Sequence, residues 1–237
     1  MFAQRMQNTH RSFIREILKV TADPSIISFA GGLPNPELFP VVEMEAAASA
    51  MLATDGREGL QYSTTEGHPP LREWIAQRYR ETKGIEVHPD EILVTTGSQQ
   101  CLDLIGKIFL DPGDVALMER PGYLGAIQAF SLFEPRFVTV PLREGGPDLE
   151  MLERALDEQP VKLFYAVTSF QNPSGISYGP EARRAVADLL RDRDTIFVED
   201  DPYGELRFSG QGCAPIVRGY LERGGLLLGT FSKIAAP

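Results

Sequence analysis

Lysine is scarce in this chain of 237 residues: there are five, Lys19, Lys83, Lys107, Lys162 and Lys233. Cysteine is scarcer. Cys101 and Cys213 lie far apart and form neither a metal nor a redox spacing, so a reduced, cytosolic compartment is expected. The histidines His10, His68 and His88 make no ligand cluster, and no metal centre is expected. Basic residues number 23 against 33 acidic ones, a net charge of -10, which argues against nucleic acid as a partner. No apolar run is long enough to span a bilayer, and residues 1–19 are too polar for a signal peptide. A phosphate-binding Walker loop, a GxGxxG turn, internal repeats and low-complexity segments are all missing. What remains is an ordinary globular composition of a length that suits one large domain or a domain plus a fragment.

Regular structure is readable in several places. Phe13, Ile14, Ile17 and Leu18 fall on one face of a helix over 11–20, which Ser12 can cap. Gly31-Gly32-Leu33-Pro34-Asn35-Pro36 holds neither helix nor central strand and reads as a loop. Helices are expected over 41–53 and over 71–82, the second closed by Gly84. From residue 91 on, short apolar runs alternate with helical stretches such as 99–110 and 181–191. Strands are expected at 92–95, 115–118, 137–140, 163–167, 196–199 and 226–229. This alternation implies an α/β fold with a mostly parallel sheet covered by helices on both faces.

In such sheets ligands bind beyond the carboxyl ends of the strands, and each of those ends carries polar residues. Thr96-Gly97-Ser98-Gln99-Gln100 opens a helix, where free amides suit a phosphate; alternatively Ser98 is a plain N-cap. Arg120-Pro121-Gly122 presents Tyr123, either to stack on an aromatic ring or as an ordinary rim residue. Gln171-Asn172-Pro173-Ser174-Gly175 is a tight turn that fixes the Asn172 amide, which could serve a phenolate or only the turn itself. Glu199-Asp200-Asp201-Pro202-Tyr203 ends a buried strand in adjacent carboxylates, costly without a cation, and no lysine or arginine is beside them in sequence. Asp201 reads as part of a solvated acidic loop. Finally Gly229-Thr230-Phe231-Ser232-Lys233 brings one amine to the end of Leu226-Leu227-Leu228. By itself that is a solvated lysine. With the other four segments it completes the parts needed to hold pyridoxal 5'-phosphate: a phosphate cradle, a stacking ring, an amide, a carboxylate and an amine.

These segments, with residues 29–40 and Gln61-Tyr62-Ser63, resemble the fold-type I, aspartate-aminotransferase-like family, in particular its 2-aminoadipate and kynurenine/aminoadipate branch. The resemblance implies a large cofactor-binding domain over 41–237 preceded by an N-terminal helix and substrate-binding loop over 1–40. It implies that Lys233 forms a Schiff base with pyridoxal phosphate and carries the proton. Asp200 would pair with the pyridine nitrogen, since Tyr203 completes an Asp-x-x-Tyr spacing, and Asn172 with Tyr203 would hold the phenolate oxygen. Tyr123 would stack on the ring. Ser98, the amide of Gln99, Thr230 and Ser232 would hold the phosphate. Gly32 would lie against the substrate carboxylate through its backbone, and Asn172 would also be a substrate residue. Arg15 would meet the distal carboxylate of an acidic substrate or else be a surface arginine, and Tyr62 would reach the phosphate or substrate of a second subunit in a homodimer. The reaction implied is ping-pong transamination between an amino acid, 2-aminoadipate or one of a broad range, and 2-oxoglutarate. A β-eliminating lyase and the sensor domain of a transcription regulator are the alternatives, the latter disfavoured by the short, non-basic stretch before Phe29. The resemblance also implies more sequence after Pro237: a Gly-x-Arg segment, a last strand and a small C-terminal domain. The chain is therefore expected to be partial at that end and weakly active or inactive on its own.

Overall fold

The computed structural model describes residues 2–3, 5–6, 25–27, 32–220 and 224–236. The helix expected over 11–20, and Arg15 with it, lies outside these residues. Among them are helices α1 (Val41–Gly59), α2 (Pro69–Lys83), α3 (Gly97–Phe109), α4 (Leu124–Ser131), α5 (Leu149–Glu158) and α6 (Pro180–Leu190). The strands are β1 (Val115–Arg120), β2 (Arg136–Arg143), β3 (Gly146–Pro147), β4 (Val161–Ala166), β5 (Ile196–Asp200) and β6 (Gly225–Leu228).

The strands form one six-stranded sheet in the order β3-β2-β1-β4-β5-β6. All neighbours run parallel except the short antiparallel pair β2 and β3. Parallel strands need covered crossovers, and the side chains divide accordingly between two cores. Val115, Leu117, Phe164 and Phe197 face one way, onto Leu152 and Leu156 of α5 and Val186 and Leu190 of α6. Met118, Leu163, Tyr165 and Val198 face the other way, onto Leu102 and Ile105 of α3 and Phe130 of α4. Phe164 and Phe197 are fully buried, ring centroids 5.3 Å apart, each contributing roughly 1.5–3 kcal/mol by leaving water.

Helix ends follow the sequence chemistry. Gly84 closes α2 in the left-handed region, φ 63°, and its amide donates to the Arg80 carbonyl. Asp148 caps α5 through a 3.1 Å bond from Met151 N. Helix α1 buries none of its residues and leaves Val41, Val42 and Leu52 exposed.

The run 92–95, expected as a strand, is not one. Ile92 has extended backbone, φ -107° and ψ 125°, and Val94 N donates to Glu66 O at 2.9 Å. Among the described residues no strand is alongside to form a ladder. A cavity of about 460 Å³ lies between this segment and β6, walled by Trp74, Tyr79, Ile92, Leu93, Leu226 and Phe231. Extended dihedrals without a hydrogen-bonded neighbour do not make a strand, and among the described residues β6 pairs on one side only, with β5.

Candidate active site

Strand β5 ends in Glu199 and Asp200, 0% and 2% exposed. Successive strand residues face opposite sides of a sheet, so the two carboxylates have separate surroundings. Glu199 receives Arg183 Nη1 at 3.1 Å, Thr168 Oγ1 at 2.5 Å and Val217 N at 3.0 Å. It is a satisfied buried ion pair. Asp200 faces the other side. Its Oδ2 accepts the Tyr165 hydroxyl at 2.6 Å, while its Oδ1 is buried with no partner. Burial pushes the Asp200 carboxyl up to about 6; the Tyr165 bond opposes the rise and the Asp201 charge adds to it.

Asp200 opens onto a cavity of about 230 Å³. Ser98, Gln99, Tyr123, Asn172, Tyr203, Thr230, Ser232 and Lys233 line the same cavity. It lies where the parallel sheet predicts, past the carboxyl ends of β1, β4, β5 and β6. Each wall has a local cause. Gly97, φ 72°, turns the chain into α3. Thr96, not Ser98, occupies the N-cap, and no side chain caps the helix there. An uncapped helix N-terminus carries a partial positive charge and unpaired amides, suited to a phosphate. Opposite, Ser232 N and Ser232 Oγ bond to Thr230 Oγ1 at 3.1 and 3.0 Å, so the turn after β6 presents two hydroxyls. Asn172 Nδ2 lies 3.4 Å from the Tyr203 hydroxyl, placing an amide and a phenol side by side. Burial, with the nearby Tyr203 and Asp200, raises the Tyr123 pKa.

The distance in sequence between Asp200 and Lys233 is bridged by register. Asp200 is opposite Leu228 in the β5–β6 ladder, and Asp201 N donates to Leu228 O at 3.0 Å. The turn that begins at Phe231, where Ile234 N donates to the Phe231 carbonyl at 3.1 Å, then delivers Lys233 to the cavity.

Gly32 and Tyr62 do not line this cavity; Gly32 has φ 55° with open space around it, and Tyr62 is 99% exposed. Asp201 is not in a solvated acidic loop. Its Oδ2 bonds to Lys83 Nζ, with side chains 7% and 14% exposed. The cation missing from the neighbouring sequence comes from the end of α2, too far away in the chain for any local pattern to connect.

Sequence reasoning does not find Tyr165, which holds Asp200, or Arg183. Beyond its bond to Glu199, Arg183 reaches Tyr178 O at 3.1 Å, Thr168 O at 2.9 Å, Ser169 Oγ at 3.1 Å and Ala214 O at 3.2 Å. It thereby fixes the segment that leads from β4 to Asn172. Both residues sit inside ordinary-looking runs, with no signal to mark them.

A planar ring bearing a phosphate fits what is here. The unpartnered Asp200 oxygen suits a protonated ring nitrogen, the open α3 terminus an anion, and Lys233 a carbonyl carbon. The family model for aminotransferase class I and II matches residues 30–236, and the chain belongs to that family. It is 47% identical over 230 residues to the 2-aminoadipate transaminase of Thermus thermophilus, covering 95% of this chain and 56% of that protein. It is 43% identical over 242 residues to aromatic-amino-acid aminotransferase 1 of Thermococcus litoralis, covering 100% of this chain and 58% of that one. The crystal structure of the alpha-aminoadipate aminotransferase of Thermus thermophilus, complexed with N-(5'-phosphopyridoxyl)-L-leucine, superposes with a TM-score of 0.90 at 44% identity, over 100% of this chain and 59% of that one. The chain thus spans less than two thirds of the length of these relatives.

Proposed function

We propose that the protein binds pyridoxal 5'-phosphate and transfers an amino group from an amino acid to a 2-oxo acid, by a ping-pong course with 2-oxoglutarate as acceptor. The observation that carries this reading is the single cavity shared by the unpartnered Asp200 carboxylate oxygen and Lys233. When bound, the cofactor supplies an electron sink that lets a bond at the amino-acid Cα break.

This chain's residues do the rest. Asp200 Oδ1 would accept a hydrogen bond from the protonated ring nitrogen and keep the proton on it, and Tyr165 keeps the carboxylate aimed by holding Oδ2. Asn172 Nδ2 and the Tyr203 hydroxyl, side by side at 3.4 Å, would both donate to the ring's phenolic oxygen. Tyr123, which lines the cavity, would stack on the ring. The α3 terminus at Ser98 and Gln99, with Thr230 and Ser232, would hold the phosphate. Lys233 Nζ would take the Cα proton and return it, acting as the general base.

The donor we favour is 2-aminoadipate or a similar amino acid within a broad range, in line with the 47% identical 2-aminoadipate transaminase. Gly32 would meet the substrate carboxylate through its backbone, Asn172 would lie beside the substrate, and Arg15 would meet a distal carboxylate. Two copies pairing would cover the exposed Val41, Val42 and Leu52 of α1 and take up Tyr62, whose side chain stands free.

The test is chemical. The purified protein is incubated with pyridoxal phosphate, reduced with borohydride and digested. The expected result is one phosphopyridoxyl mass, on the peptide holding Lys233, and glutamate formed from 2-aminoadipate and 2-oxoglutarate by the complete polypeptide. A label on another lysine, or no label, overturns the assignment.

A further inference from the structure

Glu119, at the end of β1, is a buried carboxylate that the proposed chemistry leaves unused. It is 2% exposed, and among the described residues no cation contributes to its environment. Its Oε1 accepts Val167 N at 3.2 Å and the Tyr178 hydroxyl at 2.8 Å. Its Oε2 accepts Gln171 Nε2 at 3.1 Å. Gln171 is 1% exposed and spends every polar atom of its side chain on two turns. The same Nε2 donates to Pro121 O at 2.8 Å, and Oε1 accepts Ser174 N at 2.9 Å. Its backbone closes the second turn, with Gln171 N donating to Ile176 O at 2.9 Å and its carbonyl accepting Gly175 N at 2.6 Å.

Those turns carry different walls of the cavity. Pro121 lies two residues before Tyr123, and Gln171 is adjacent to Asn172. They come from β1 and β4, neighbouring strands whose ladder ends before either turn begins. Past that point the backbone ladder no longer sets their separation. Glu119 and Gln171 supply the link that the ladder lacks.

We propose that Glu119 and Gln171 are positioning residues for the cofactor, a buried bridge that fixes the gap between Tyr123 and Asn172. This rests on the pyridoxal phosphate reading above. The carboxylate suits the task because it accepts on both oxygens and so ties Val167, Tyr178 and Gln171 to one rigid strand end. Burying it without a cation is costly, and a costly group that only filled space would be replaced at no loss by an apolar one.

A double-mutant cycle tests this, with the dissociation constant of pyridoxal phosphate, read by fluorescence titration, as the observable. Gln171→Leu in the otherwise unchanged protein removes the bridge and should weaken binding about tenfold, the effect of one buried hydrogen-bond network member. In a protein already carrying Tyr123→Ala and Asn172→Ala there is nothing left to position, and the same change should weaken binding less than about twofold, a non-additive result. Equal factors in both backgrounds overturn the proposal, because a merely structural role acts the same in each. Glu119→Gln, which keeps shape and volume, is carried through the same cycle, so that misfolding of one variant leaves the question decided. If the unsubstituted protein takes up no pyridoxal phosphate, the cofactor reading itself falls and this proposal with it.

Discussion

Tyr165 donates its hydroxyl to Asp200 Oδ2 at 2.6 Å across the β4–β5 boundary, leaving Oδ1 of the same carboxylate buried and unpartnered. One strand thus disposes of half of an acid that the next strand offers to a ligand. The Tyr165 hydroxyl is locked as the donor: burial, with Asp200 nearby, raises its pKa well above the ordinary value.

Tyr165→Phe removes that bond while keeping the ring. Hydrogen bonds to a charged group contribute about 1.5–3 kcal/mol, so pyridoxal phosphate should bind at least about tenfold more weakly. The Asp200 carboxyl should move further up, since the lost bond favoured its ionised form. Fluorescence titration of the variant checks the first; an unchanged affinity would show that Tyr165 does not orient Asp200.

Glu119 makes the cofactor-free protein sensitive to pH. Burial pushes its carboxyl from 4.5 to about 7 in the folded state. A raised pKa means that the folded chain holds the proton more tightly than the unfolded one. The stabilisation is complete below 4.5 and is lost as pH rises through about 7, on the order of 3 kcal/mol in all. Glu119→Gln should flatten that part of the curve of urea midpoint against pH. A variant with the parental slope would refute the assignment.

Arg183→Met leaves Glu199 buried and without its cation. Breaking one side of a buried pair costs about 3–5 kcal/mol. Chemical denaturation should report a loss of that order, and the Arg183→Met/Glu199→Gln double variant should recover part of it. A loss under about 1 kcal/mol, the range of a surface pair, would contradict the burial seen here.

Gly97→Ala acts at the mouth of the α3 terminus. Its backbone, φ 72°, is left-handed, and a side chain there costs about 1–2 kcal/mol although nothing blocks the space. Relief of that strain moves the amides of Ser98 and Gln99, so inorganic phosphate should compete with pyridoxal phosphate less well than in the parent. Equal competition would show that the α3 terminus does not bind the phosphate.

Much of this is legible in the sequence, for one reason. Parallel strands covered on both faces are nearly all apolar, so the runs 115–118, 163–167 and 226–228 stand out, and the residues lining the cavity follow their ends. Tyr123, Asn172 and Lys233 can be named because each sits just past a strand, Asp200 because it closes one, and Ser98 because it follows the apolar run 92–95. What escapes depends on pairing between distant segments. Residues 92–95 have strand composition and no partner, and composition carries no information about partners. Lys83 meets Asp201 only after α2 packs near β5. Tyr165 is one more aromatic in a buried strand until the parallel register, Tyr165 opposite Val198, sets it near Asp200. Glu119 does leave a trace: a lone carboxylate closing an apolar run needs an explanation wherever it occurs.

The rung that joins Asp200 to Leu228 has a practical side. It works as a ruler between acid and amine that ignores the connecting chain from Tyr203 to Gly225. Within that chain the exposed residues 208–212 lie ahead of the buried Ile216, Val217 and Tyr220, so additions there leave the span unaltered, and they are the natural place for tags, probes or grafted peptides. A single residue inserted between Leu228 and Lys233 is read by the ruler at once, and shifts the amine out of phase with the acid it is meant to face.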